Sequence, residues 1–88
     1  MHAVIVDVSI SDFSDARREL LDRTVPAVSG APGFVSGSWM QVGPGKGHSV
    51  VVLESEEAAN AMAQQVRTNV PEAVTVDNVS VCEVVAHA

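Results

Sequence analysis

Pro32-Gly33-Phe34 marks the point where a helical pattern stops and a β-branched run begins. A proline followed by glycine cannot extend a helix, so the chain must turn there and re-enter as a strand. That junction sits in an element order that reads strand, helix, strand, strand, helix, strand across 88 residues. Few folds accept this order in so short a chain. It constrains the architecture more tightly than any composition count.

Residues 3–10 (Ala-Val-Ile-Val-Asp-Val-Ser-Ile) are apolar on both parities, the mark of a strand covered on both faces and central in its sheet. Ser11 or Asp12 offers an N-cap oxygen, and Asp15 places negative charge in the first turn of the helix that follows. Phe13, Ala16, Leu20 and Thr24 recur at helical spacing, widened by Leu21, Val25 and Val28. Pro26 removes a hydrogen bond to residue 22, which predicts a kink or a tighter last turn. Gly30 and Pro32 then end the helix. Residues 34–42 form a second strand, Gly43-Pro44-Gly45-Lys46-Gly47 a turn, and residues 48–54 a third strand. Ser55 caps a second helix whose buried stripe is Ala59, Met62, Ala63, Val66 and Val70, and Pro71 ends it. Residues 74–85 make the last strand, with Val76, Val79, Val81, Val84 and Val85 as its apolar set.

Right-handed crossovers and one hairpin select an α+β, ferredoxin-like βαββαβ fold for residues 1–88 as a single domain. Four antiparallel strands carry both helices on one face. The opposite face would stay uncovered, although the first strand is apolar on that side too. The economical solution is a homodimer, two sheets closing face to face into an α/β barrel. Composition agrees, since 47% of the residues are hydrophobic and the mean hydropathy is +0.22.

With Pro32-Gly33-Phe34 entering strand two and a valine-rich final strand, the whole chain resembles the dimeric α/β-barrel superfamily, and within it the antibiotic-biosynthesis monooxygenase family. The resemblance implies a pocket between the sheet and its two helices. Some family members oxidise polyaromatic phenols with O₂ and no cofactor; others bind and degrade haem. The haem-degrading branch uses an Asn in strand one with a Trp and a His in its second half. Here strand one carries Asp7 and no Asn, and the second helix has neither Trp nor His. The cofactor-independent branch draws on Tyr, Trp and Asn, whereas this chain has no Tyr and a single Trp, Trp39.

Asp7 and His48 are the catalytic candidates. Asp7 is an acid inside an apolar strand, which requires solvent, a donor or a pocket. His48 opens strand three and suits general-base work, or else simple solvation at a hairpin end. Trp39, Phe34 and Met62 are the candidate contacts for a bound molecule. Trp39 either stacks on a flat ligand, with small Gly37 leaving room beside the indole, or fills the core or dimer interface. Phe34 serves equally as a core anchor. His2 and His87 read as exposed ends, and no histidine has a second ligand at close spacing, so no metal is assigned.

Charge excludes several classes. Eleven acidic against five basic residues give a net charge of −6, which repels nucleic acid and anionic membranes. The glycine-rich turn lacks the phosphate-loop spacing and joins two strands, so it is no nucleotide cradle. The single Cys82 reads as a small hydrophobe in an apolar strand and forms no internal disulfide. The N-terminal residues read as a strand and not a leader, and no stretch is long enough to span a bilayer, which places the protein in the cytoplasm. The expected function is a small monooxygenase-like dimeric barrel binding an apolar or aromatic molecule between sheet and helices, without a cofactor. Cofactor-independent oxygenation is the chemistry that would go with it. The alternative is a non-catalytic ligand-binding or partner-binding dimer of the same fold.

Overall fold

A computed structural model describes residues 1–88. The sheet is antiparallel throughout, in the order β2-β3-β1-β4, with β1 (His2–Ile10) and β3 (Lys46–Leu53) inside and β2 (Phe34–Gly43) and β4 (Val74–Glu83) at the edges. The two-parity apolar pattern of β1 thus marks an interior strand.

Asp12 caps α1 (Phe13–Glu19), accepting a hydrogen bond from the Asp15 N–H. The rod continues through a π-turn, Leu20–Thr24, into α2 (Val25–Ser29). The expected tightening before Pro26 is therefore corrected: the helix widens. The Val25 N–H donates to the Leu20 carbonyl five residues back, and Pro26, which has no N–H to give, starts the next α segment at its tolerated early position. Ser55 caps α3 (Glu56–Thr68), accepting from the Ala58 N–H.

The hairpin is tighter than its five-residue appearance. Gly43 pairs with Lys46, so only Pro44 and Gly45 lie between the strands. Gly45 has φ +68°, which with proline before it matches a type II turn. The Ile10 N–H closes the corner by donating to the Gly45 carbonyl at 2.9 Å.

Helices cover one face only. There Val4, Val6, Val28, Val51, Leu53, Ala59, Met62 and Ala63 form the core, with Leu53, Val4 and Ala59 at 0% exposure. Burying a side chain such as Leu53 contributes about 1.5–3 kcal/mol. Val66 packs against this cluster, but Val70 is exposed beyond the end of α3. Val84 and Val85 likewise lie past the end of β4, with Val85 93% exposed. Pro32-Gly33 forms the turn into β2: Gly33 has φ +82°, and a Cβ there would stand 3.0 Å from the Ala58 Cβ of α3. Glycine is needed both for the turn and for the close approach of the helix.

Only 13 of the 88 residues are buried, few for a chain that is nearly half hydrophobic. The exposed large apolar side chains are spread over the molecule, with Leu21 on the π-turn, Val70 past α3, Val85 past β4, and Val35, Met40 and Val42 on β2. No helix is long and apolar enough to cross a membrane.

Candidate functional site

Cross-strand pairing sorts the side chains of the sheet into two sets, because paired residues share a face and neighbours along a strand alternate. The helix-facing rows run Phe34–Leu53–His2, Gly37–Val51–Val4–Val81 and Trp39–Ser49–Val6–Val79. The open-face rows run Ser36–Val52–Ala3–Cys82, Ser38–Val50–Ile5–Ser80 and Met40–His48–Asp7–Asn78. The five candidates are therefore divided. Trp39, Phe34 and Met62 lie on the helix side, whereas Asp7 and His48 lie on the open side.

On the helix side, Phe34 and Trp39 are half-buried against the core, and Met62 is inside it at 3% exposure. The indole does not stand beside an empty space. A Cβ on Gly37 would lie 2.8 Å from Trp39 Cη2 and 3.5 Å from Phe34 Cε1, so the ring already occupies the room that glycine leaves. The interior between sheet and helices is filled by valine and alanine together with Leu53 and Met62, with Phe34 and Trp39 packed against them. At its margin a groove of about 370 Å³ opens between the Ala31–Gly33 turn and α3, with Ala58, Ala61, Met62 and Gln65 along one wall. Glu54 and Glu57 stand at its rim. A second depression, of about 400 Å³, lies at the β4 edge beside Arg67 and Val76–Val79. Neither includes Trp39, Asp7 or His48.

On the open side, Asp7 and His48 form a cross-strand pair, His48 Nδ1 donating to Asp7 Oδ1 at 2.6 Å. A carboxylate only accepts, so the imidazole proton sits on Nδ1. Their side chains are 46% and 30% exposed, so the pair is reachable from solvent. One row toward the hairpin, Lys46 Nζ donates to Ser9 Oγ at 2.8 Å, and Ser9 Oγ donates to Asp77 Oδ2 at 2.6 Å. Lys46 Nζ stands 3.7 Å from the same Asp77 oxygen. Asp77 stands at a bulge in β4 opposite Asp7 and Val8, which puts Asp77 and Asn78 on one face. Sequence reasoning left Lys46 in a turn and Asp77 without a role. The shared parity of Asp7 with Ser9 and of Lys46 with His48 is the signal that joins them.

Two readings of single residues change. Cys82 is exposed on the open face instead of buried among valines, because its parity pairs it with Ala3 and not with Val4. His2 is not a free chain end: its side chain is 20% exposed, on the helix side, with Nε2 3.4 Å from Glu56 Oε2. His87 is exposed.

No protein-family model matches the chain, and no curated protein matches it. Solved structures do. HapK from Hahella chejuensis superposes with a TM-score of 0.68 at 12% identity, over 100% of this chain and 96% of that one. A candidate monooxygenase from Shewanella loihica PV-4 gives 0.60 at 19% identity, over 99% of each chain. The haem-degrader MhuD from Mycobacterium tuberculosis, with two haems bound in its active site, gives 0.53 at 26% identity, over 97% of this chain and 98% of that one. The first two likenesses concern fold; MhuD adds a similarity of sequence along the whole length. The βαββαβ order, the one-sided helices and these full-length superpositions agree: the chain has a ferredoxin-like fold, and along its whole length it resembles the antibiotic-biosynthesis monooxygenase-like proteins.

Proposed function

We propose that this protein is a cytoplasmic homodimer that binds an apolar or aromatic small molecule on the helix side of its sheet, as a ligand-binding member of the monooxygenase-like family. The observation that carries this reading is the shared side of Phe34, Trp39 and Met62, with Met62 reaching the wall of the helix-side groove. An apolar lining with a few polar groups at the rim is the usual make-up of a small-molecule site. MhuD, which holds haem, supports a flat, largely apolar ligand for a chain of this fold. The two expected bases, Asp7 and His48, face away from that groove, and its acidic groups, Glu54 and Glu57, stand at the rim. Binding without oxygenation is thus favoured there. The second copy would cover the open face, a reading supported there by half-buried Ile5 and Val50 and by Met40, which is 43% exposed.

The test uses calorimetric titration of 1-naphthol and of haem, with Trp39 emission as a second readout. Trp39 is the only Trp and there is no Tyr, so the fluorescence reports on one position. Saturable binding at one site per chain is expected, abolished by Ala61→Phe, which fills the groove from an exposed helix position. Binding of neither probe, or undiminished binding to Ala61→Phe, refutes the groove as the ligand site.

A further inference from the structure

The groove at the Ala31–Gly33 turn is apolar along its walls and acidic at its mouth. Ala31, Pro32, Ala58, Ala61 and Met62 supply carbon surface, and Glu54 and Glu57 are the only ionisable side chains that line it. Neither glutamate takes part in an ion pair of the molecule. Glu56, which lies between them in sequence, is paired with His2 instead. The other polar groups of this corner offer an anion little. Ser55 Oγ accepts from the Ala58 N–H, and the Ala59 N–H donates to the Ser55 carbonyl. The Glu54 N–H donates to the Gly33 carbonyl at 2.8 Å, and Pro32 has no N–H to give. Gln65, at the far end of the wall, both donates and accepts. The net charge of −6 adds a field of the same sign at longer range.

We propose that the ligand of this groove is a small apolar ammonium, with a ring body against the alanine, proline and methionine wall and a protonated amine at the Glu54–Glu57 mouth. The cationic end is an addition to the groove reading above, on which it rests. An ammonium donates hydrogen bonds and accepts none, so carboxylate oxygens complement it, while the body needs only the shape and carbon surface of the wall. The volume of about 370 Å³ lies at the lower end of the range of small-molecule sites and suits a two-ring body. Both carboxylates are exposed, so water and salt screen them, and they set selectivity more than total affinity. Haem, with two carboxylates of its own, is on this reading the weaker of the two probes named above.

The experiment compares probes that share one ring system and differ in charge. 1-Naphthylmethylamine as its cation, neutral 1-naphthylmethanol and anionic 1-naphthoate are each titrated calorimetrically into the full chain. A pair of exposed carboxylates should favour the cation over the alcohol by roughly threefold to tenfold, with the anion weakest. High salt should shrink the preference, because it screens exposed charges. The double variant Glu54→Gln, Glu57→Gln should bring the affinities of amine and alcohol together. The double variant Asp22→Asn, Glu72→Gln makes the same change in net charge at exposed acids outside the groove, and should keep the wild-type ratio. Circular dichroism establishes that each variant is folded. An alcohol bound as tightly as the amine, or an amine preference undiminished in folded Glu54→Gln, Glu57→Gln, overturns the proposal. So does an equal loss of preference in the Asp22→Asn, Glu72→Gln control. Equal affinities for all the probes, abolished by Ala61→Phe, remove this inference and leave the groove reading standing. Binding of none of them, or binding that Ala61→Phe leaves intact, removes the groove reading and the cation preference with it.

Discussion

Gly37→Ala is the most direct probe of how the helix side is packed. The new methyl group would stand 2.8 Å from Trp39 Cη2 and 3.0 Å from Cζ3, well inside van der Waals contact. The indole has only two torsions and is held on its other side by the core, so it must shift bodily or leave its rotamer. Inserting a methyl group into a packed site costs about 1–3 kcal/mol. Replacing glycine by alanine in a strand returns roughly 0.5–1 kcal/mol through the unfolded chain. The net destabilisation therefore spans about 0–2.5 kcal/mol with a central value of about 1 kcal/mol, which corresponds to a fall in Tm of roughly 4–8 °C for a domain of this size. Gly43→Ala is the matched control, since nothing lies within 4 Å of a Cβ there, and its Tm should be unchanged or slightly raised. Thermal unfolding of both variants, followed by Trp39 emission and by circular dichroism, makes the comparison. A red-shifted native emission in Gly37→Ala would report the displaced ring. Equal or higher stability of Gly37→Ala relative to Gly43→Ala, with emission unmoved, would refute the packing argument.

Leu53→Ala removes the largest fully buried side chain and should cost about 2–5 kcal/mol, read as a lower urea midpoint with unchanged slope. Gly33→Ala combines a backbone at φ +82° with a 3.0 Å approach to the Ala58 Cβ, and a loss of roughly 1–3 kcal/mol is expected in the same titration. Val50→Asp places a charge in the middle of the open face, where the proposed second copy packs; in sedimentation velocity the wild type is expected to run as a dimer and the variant as a monomer at micromolar concentration, and a dimeric variant would place the contact elsewhere.

Much of the architecture is legible from residues alone, for identifiable reasons. Both parities of β1 are apolar because one faces the helices and the other the open side, and Ser55 and Asp12 cap because their oxygens meet free N–H groups. The π-turn has no signature distinct from an α-helix; only the missing N–H of Pro26 hints at disturbance, and its direction is set by packing. The site was harder. Counting Gly43–Gly47 as loop takes Lys46 out of the sheet, whereas the two-residue turn returns it and fixes the register that sets Asp7 opposite His48. Whether Trp39 and Asp7 share a face depends on that register across three strands, which no single strand encodes. Their separation onto opposite faces divides one expected site into two.

The bulge in β4 has a further meaning in the valines around it. Val74 and Val76 occupy even positions, Val79 and Val81 odd ones, and all four sit in line with helix-facing β1 residues because one extra residue lies between the pairs. Deleting Asn78 would leave Val-Thr-Val-Asp-Val-Ser-Val, an unbroken alternation that a regular strand accommodates. The core thus has no use for the additional residue. It serves the open face, where two polar side chains stand side by side, one of them the carboxylate that holds Ser9 and Lys46. Without Asn78, Asp77 would itself fall opposite Asp7, so one residue of strand length decides whether an amide or a second carboxylate faces that acid across the sheet.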